Sequence, residues 1–145
     1  MFQQNESETL RIRPKIGDVY MIQFDGSGSV QQGFRPGVVF SNNKGNANSP
    51  TVIMLPLTTS LKKTAQPTHV VLDAEECGLR YTSMVLCENP QCIQKSALGR
   101  FISHLDDGKI SQIAVAYLMA SSGIAYVDYP TLIRAWESSI RLNAS

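Results

Sequence analysis

Gln31-Gln32-Gly33-Phe34-Arg35-Pro36-Gly37-Val38-Val39-Phe40 sets one arginine between a loop rich in glycine and serine, Gly26-Ser27-Gly28-Ser29, and an apolar β-branched run. Val38-Val39-Phe40 reads as the start of a buried strand, so Arg35 is expected at a strand mouth. Pro36 fixes its own φ and pushes Arg35 toward extended backbone, holding the guanidinium on stiff chain beside a pliable loop. A fork of N–H donors held this way suits a phosphate or a carboxylate.

Working outward, Gly17-Asp18 opens Val19-Tyr20-Met21-Ile22-Gln23-Phe24, whose aromatic and β-branched content predicts a first strand buried on much of both faces. Asp25 to Gly33 holds three glycines and two serines, a candidate moving lip of a site. The second strand is expected from about Pro36 to Phe40, and Ser41 to Pro50 reads as a loop of almost pure turn chemistry. A third strand follows as Thr51–Leu57, ending at Thr58-Thr59-Ser60, with Pro56 suggesting an edge position or a bulge. Thr68–Leu72 reads as a fourth strand, Asp73–Cys77 as a helical turn closed by Gly78, Ser83–Cys87 as a fifth strand, and Leu98–His104 as a last one. Asp106-Asp107 then caps a helix with Ile110, Ile113, Ala114, Tyr117 and Leu118 as its apolar stripe and Gly123 as its stop. A second helix is predicted over Pro130–Leu142, with Leu132, Ile133, Trp136 and Ile140 on one face. Strands first and helices afterwards, joined by tight turns, predict an α+β, mainly β fold: a small, strongly bent antiparallel sheet or open barrel with helices packed at one end.

A chain of 145 residues, 43% hydrophobic, supports one domain with a real core. The expected division is a flexible segment 1–14, a domain 15–124, and a helical extension 125–145 packed on that domain or on a dimer interface. Net charge is only +1, so any affinity for nucleic acid must come from a local patch. Residues 1–72 carry seven Lys/Arg against four Asp/Glu, and residues 73–145 six against eight, which places the basic character with the arginine loop. No apolar run approaches the roughly 20 residues of a membrane span, and the N-terminus has no apolar signal core. Cys77, Cys87 and Cys92 form no C-x-x-C pair, and only two histidines accompany them. Neither a disulfide framework nor a zinc site is expected, and the default compartment is a reducing cytoplasm.

Gly17-Asp18-Val19-Tyr20, Gln32-Gly33-Phe34-Arg35-Pro36-Gly37-Val38-Val39, Leu57-Thr58-Thr59-Ser60, Pro67-Thr68-His69-Val70, Ser83-Met84-Val85-Leu86-Cys87-Glu88 and Leu105-Asp106-Asp107 follow one another in order. Together they resemble the MazF/PemK (Kid) toxins of type II toxin–antitoxin systems over roughly residues 15–124. The resemblance implies an SH3-like barrel of the CcdB/PemK kind, working as a homodimer without metal or cofactor and silenced by a cognate antitoxin. It implies a sequence-selective endoribonuclease that cuts single-stranded mRNA by attack of the ribose 2′-OH on the adjacent phosphate. The products would be a 2′,3′-cyclic phosphate and a 5′-OH. The arginine of the family's Gly-x-Arg-Pro motif matches Arg35, and its threonine after the third strand matches Thr58.

The chemistry of the residues agrees with those two roles. Transesterification builds negative charge on the non-bridging oxygens, which a fixed guanidinium and a hydroxyl donor stabilise. Arginine hardly ever deprotonates, which favours electrostatic stabilisation over general-base work for Arg35. Where some family members have a histidine this sequence has Ser29, and where they have an arginine and an aspartate in the fifth strand it has Leu86 and Glu88. Glu88 is therefore the candidate carboxylate, to orient Arg35, accept the 2′-OH proton or bind a base edge, against the alternative of an exposed strand-end glutamate. His69 is assigned to structure and His104 to the turn before the Asp106-Asp107 cap. RNA contact is expected from Ser29, Gln31, Gln32 and Phe34, from Thr59 and Ser60, and from Asn89 and Gln91 reading base edges through their amides. The alternatives are a CcdB-like module acting on gyrase, since fold alone does not fix activity, and a catalytically inactive relative whose tail fills the antitoxin groove.

Overall fold

Side chains along a strand alternate between its two faces, and in Val19-Tyr20-Met21-Ile22 the protein covers both. A computed structural model describes residues 13–24 and 33–143. Seven strands appear in it: β1 (Asp18–Phe24), β2 (Gly33–Val39), β3 (Thr51–Thr58), β4 (His69–Leu72), β5 (Ser83–Leu86), β6 (Gln91–Gln94) and β7 (Leu98–His104). Four α-helices accompany them: α1 (Asn43–Asn48), α2 (Ala74–Cys77), α3 (Asp107–Ser121) and α4 (Tyr129–Asn143). The strands pair antiparallel in the order β4-β5-β3-β2-β1-β7, with β6 on β3 as well. The sheet is not closed, with β4 and β7 at its ends among the described residues.

Two apolar clusters follow from the alternation. Val19, Val38, Leu55 and Leu57 lie with Leu72, Val85, Leu105 and Ile113 in the first, beneath α3. Tyr20, Ile22, Val39, Val52, Met54 and Leu98 form the second, on the other face of the same strands. Full burial of each such aliphatic side chain is worth roughly 1.5–3 kcal/mol, so the central strands anchor the fold from both sides.

Two prolines shape the middle of the sheet. Pro36 has no N–H to give, and the β2–β3 ladder runs only from Val39↔Met54 to Gly37↔Pro56. Pro56 lies where the partner on the other side of β3 changes, since β6 pairs as far as Met54 and β5 begins at Leu57. The edge or bulge expected at Pro56 is thus a gap between two successive partners.

The structure departs from the sequence reading in local places. Arg35 is not at a strand mouth but inside β2, paired with Ile22 of β1. The loop 41–50 contains α1, because Asn42 caps it by accepting from Gly45 N–H at 2.8 Å and buried Asn46 donates to the Ser41 carbonyl at 2.9 Å. β6 had no strand signal: Gln91-Cys92-Ile93-Gln94 is short, polar at both ends and without alternation, and owes its form to pairing with Thr51–Met54. Helix α3 starts as expected, Asp106 accepting from Lys109 N–H at 2.8 Å, but ends on Ser122 at φ 54°. Gly123 opens a short 3₁₀ turn instead. On α3, Ile113 and Ala116 are the buried residues and Leu118 is exposed. Tyr129, Leu132, Ile133 and Trp136 of α4 are all exposed. The segment 1–12 and the loop 25–32 lie outside the described residues.

Candidate active site

Arg35 and Thr58 are brought together by strand register. The β2–β3 pairs Val39↔Met54, Val38↔Leu55 and Gly37↔Pro56, carried two residues further, set Arg35 across from Thr58. Because the ladder has already ended at Pro36, the two strands leave a cleft there rather than a hydrogen-bonded pair. A pocket of about 300 Å³ occupies it, lined by Phe34, Arg35, Pro36, Leu57, Thr58, Thr59 and Ser83.

Each lining side chain is held by ordinary strand chemistry. Arg35 is half-buried, and its partner across β1–β2, Ile22, is fully buried. Thr58 pairs with Met84 of β5, and its Oγ1 accepts from Ser60 N–H at 3.1 Å, which uses a lone pair and leaves the hydroxyl hydrogen to be donated. Ser83 opens β5 and donates its hydroxyl to the Tyr81 carbonyl at 2.8 Å. Among the described lining residues there is a guanidinium and there are hydroxyls, but neither carboxylate nor imidazole. A guanidinium and hydroxyls are groups that can donate to an anion.

The other candidates fall in three places. Phe34 and Thr59 line the pocket, and Phe34 is 65% exposed. Glu88 is not among the lining residues; at the end of β5 its Oε1 meets His69 Nε2 at 2.7 Å. Ser60 is exposed beside Thr58, Asn89 gives its N–H to the Leu86 carbonyl at 3.2 Å, and Gln91 opens β6 opposite Met54. Ser29, Gln31 and Gln32 lie outside the described residues. Ser83 was not singled out in the sequence, although it heads a strand beginning three residues after Arg80, where a hydroxyl meets the end of β3. His104 is the last residue of β7 rather than part of a helix turn, and its Nδ1 meets buried Asp18 Oδ1 at 2.7 Å.

Burial sets the cysteine chemistry. The Cys87 thiol is pushed up to about 12, first by desolvation and then by the neighbouring Glu88 charge, and burial raises Cys77 as well. Neither is a nucleophile at neutral pH. Among the described residues no group of three or more His, Cys, Asp or Glu is placed to hold a metal ion. None of their helices is long and apolar enough to cross a membrane.

Comparison with known proteins gives a consistent result. A family model described as the PemK-like, MazF-like toxin of type II toxin–antitoxin systems matches residues 15–117. Endoribonuclease EndoA of Bacillus subtilis is 36% identical over 116 residues, which cover 79% of this chain and 97% of that protein. Endoribonuclease MazF of Staphylococcus saprophyticus is 35% identical over 98 residues, covering 67% of this chain and 82% of that protein. A solved endoribonuclease in complex with its cognate antitoxin, from Mycobacterial species, aligns with a TM-score of 0.63 at 25% identity, over 75% of this chain and 95% of that one.

Proposed function

The chain belongs to the PemK-like, MazF-like toxins of type II toxin–antitoxin systems, and from that premise we propose that it is an endoribonuclease whose reaction centre is the Arg35–Thr58 cleft. The substrate is single-stranded mRNA, cut at selected sequences in the cytoplasm, which stops translation and growth. The ribose 2′-oxygen attacks the adjacent phosphorus, the 5′-oxygen leaves, and the products carry a 2′,3′-cyclic phosphate and a 5′-OH. Arg35 and the Thr58 hydroxyl donate to the non-bridging oxygens, whose charge grows toward the transition state. Thr59, the Ser60 turn and Phe34 hold the flanking nucleotides, and Asn89 and Gln91 offer amides to base edges. The working form is a homodimer, silenced by a cognate antitoxin.

The observation that carries this reading is the register that sets Arg35 across from Thr58 at the point where Pro36 ends the β2–β3 ladder. It is tested by incubating wild-type protein and Arg35→Ala with a long single-stranded RNA in EDTA and mapping cut sites and end chemistry. Discrete cuts with cyclic-phosphate ends, reduced at least ~10²-fold in the variant, are expected. No cutting by folded wild-type protein would overturn the reading in favour of a binding module.

A further inference from the structure

Tyr81 is a large aromatic residue left 58% exposed two positions before Ser83, a residue of the cleft lining. The Ser83 hydroxyl donates to the Tyr81 carbonyl at 2.8 Å, which ties the backbone of one to the side chain of the other. Arg80 Cζ stands over the Tyr81 ring, 5.3 Å from its centroid, so one ring face carries a cation. Neither residue enters the β4–β5 ladder, which runs from His69↔Leu86 to Leu72↔Ser83 and ends there. A solvated tyrosine ring gains nothing for the core, whereas a ring with a cation on one face is a platform for a base beside a phosphate.

From this we propose that Tyr81, backed by Arg80, stacks a nucleobase of the RNA strand that passes through the Arg35–Thr58 cleft. The inference rests on the endoribonuclease reading and adds a base-binding position to it. Across the sheet the order is β2, β3, β5, which gives Phe34 and Arg35, then Thr58, then Ser83 with Tyr81 beyond it. Arg35 and Ser83 thus lie on the two strands that border β3, and both line the cleft. Phe34 on β2 and Tyr81, two residues before β5, are both exposed. Stacking tolerates any base, so Tyr81 sets affinity and register along the strand while hydrogen bonding elsewhere sets sequence.

The test uses the full chain and a short RNA centred on a mapped cut site, with 2′-deoxyribose at that site so that binding is read without cleavage. Tyr81→Ala is expected to weaken binding about five- to a hundredfold, and Tyr81→Phe to bind within about twofold of wild type. Abasic replacement of one nucleotide beside the cut should weaken wild type by the same factor and leave Tyr81→Ala unaffected, since the two changes remove one contact. If wild type cuts the all-ribose RNA and Tyr81→Ala binds as tightly as wild type, this inference alone is overturned. If wild type neither binds nor cuts RNA, the endoribonuclease reading falls and takes this one with it.

Discussion

His69 bridges two segments that the sequence separates: its Nε2 lies 2.7 Å from Glu88 Oε1, and its Nδ1 lies 2.9 Å from the Lys63 carbonyl. A carbonyl only accepts, so the ring donates to it from Nδ1. The basic turn after Thr58 and the end of β5 are thereby held to one largely buried imidazole. Removing it should cost about 1–2 kcal/mol in denaturant unfolding for His69→Ala. Glu88→Ala should cost less, because that carboxylate is more exposed. An equal loss for both variants would show that the ion pair, not the carbonyl bond, holds the turn.

Hydroxyl and guanidinium in the cleft should separate cleanly by conservative substitution. Thr58→Val keeps the shape but removes the donor and the acceptor of the Ser60 N–H, and RNA cleavage should fall ~10²-fold. Thr58→Ser should stay within about tenfold. Arg35→Lys keeps the charge but not the fork, and should also lose ~10²-fold in single-turnover cleavage. Circular dichroism of each variant should match wild type.

Gly99 lies in an irregularity of the β1–β7 ladder, where Tyr20 pairs with Phe101 but Ile22 pairs with Leu98. A Cβ there would stand 2.7 Å from the Met21 carbonyl oxygen, a backbone atom that cannot swing aside. Gly99→Ala should therefore destabilise by about 1–3 kcal/mol, read as a lower urea midpoint with unchanged slope.

The three thiols should react in sequence. Exposed Cys92 should label quickly with a thiol reagent near pH 8, while buried Cys77 and Cys87 label only after unfolding. Cys87 keeps its proton in the folded state up to about pH 12, whereas the unfolded thiol loses it near pH 9. The folded state thus binds more protons through that window, so stability should fall as pH rises from 9 toward 12. Cys87→Ala should flatten that decline.

Trp136, the protein's one tryptophan, is 61% exposed on α4. Its emission should be that of a solvated indole, open to iodide quenching, in dilute monomer. Deleting residues 128–145 should change monomer stability by less than about 0.5 kcal/mol, since Tyr129, Leu132, Ile133 and Trp136 bury little. A concentration-dependent blue shift would report docking of this face on a second copy.

Long apolar and β-branched runs made the strands legible, because their burial on two faces leaves few alternatives. Val19–Phe24 and Thr51–Leu57 are such runs, and β1 and β3 follow them within a residue. The Gly78 stop and the Asp106 cap were equally readable, each using local chemistry alone, whereas Asp73, read as the first residue of its turn, is the cap. Failure came where structure is imposed from outside the segment. β6 exists because β3 has a free edge at Thr51–Met54, and α1 exists because Asn46 finds Ser41. For the cleft, Arg35 stood out from its local sequence and Thr58 only through the family resemblance; their opposition needed the register, and Ser83 needed β5 to begin beside Thr58. Tyr81 carried no sequence signal beyond being an aromatic near a turn.

The Asp18–His104 hydrogen bond joins residues 86 apart in the chain, and the β1–β7 pairs span separations from 86 at Asp18↔His104 down to 76 at Ile22↔Leu98. Closing so long a loop is slow relative to forming the β1–β2 and β2–β3 hairpins, which are local. All described residues of the cleft precede β7, yet Leu98 of β7 completes the apolar cluster beneath β2 and β3. A nascent chain that has not yet delivered β7 from the ribosome therefore holds Arg35 and Thr58 on an unfinished support. Synthesis of β7 and of α3 behind it, rather than of Arg35 and Thr58 themselves, sets the moment at which the protein becomes fully formed beside its own message.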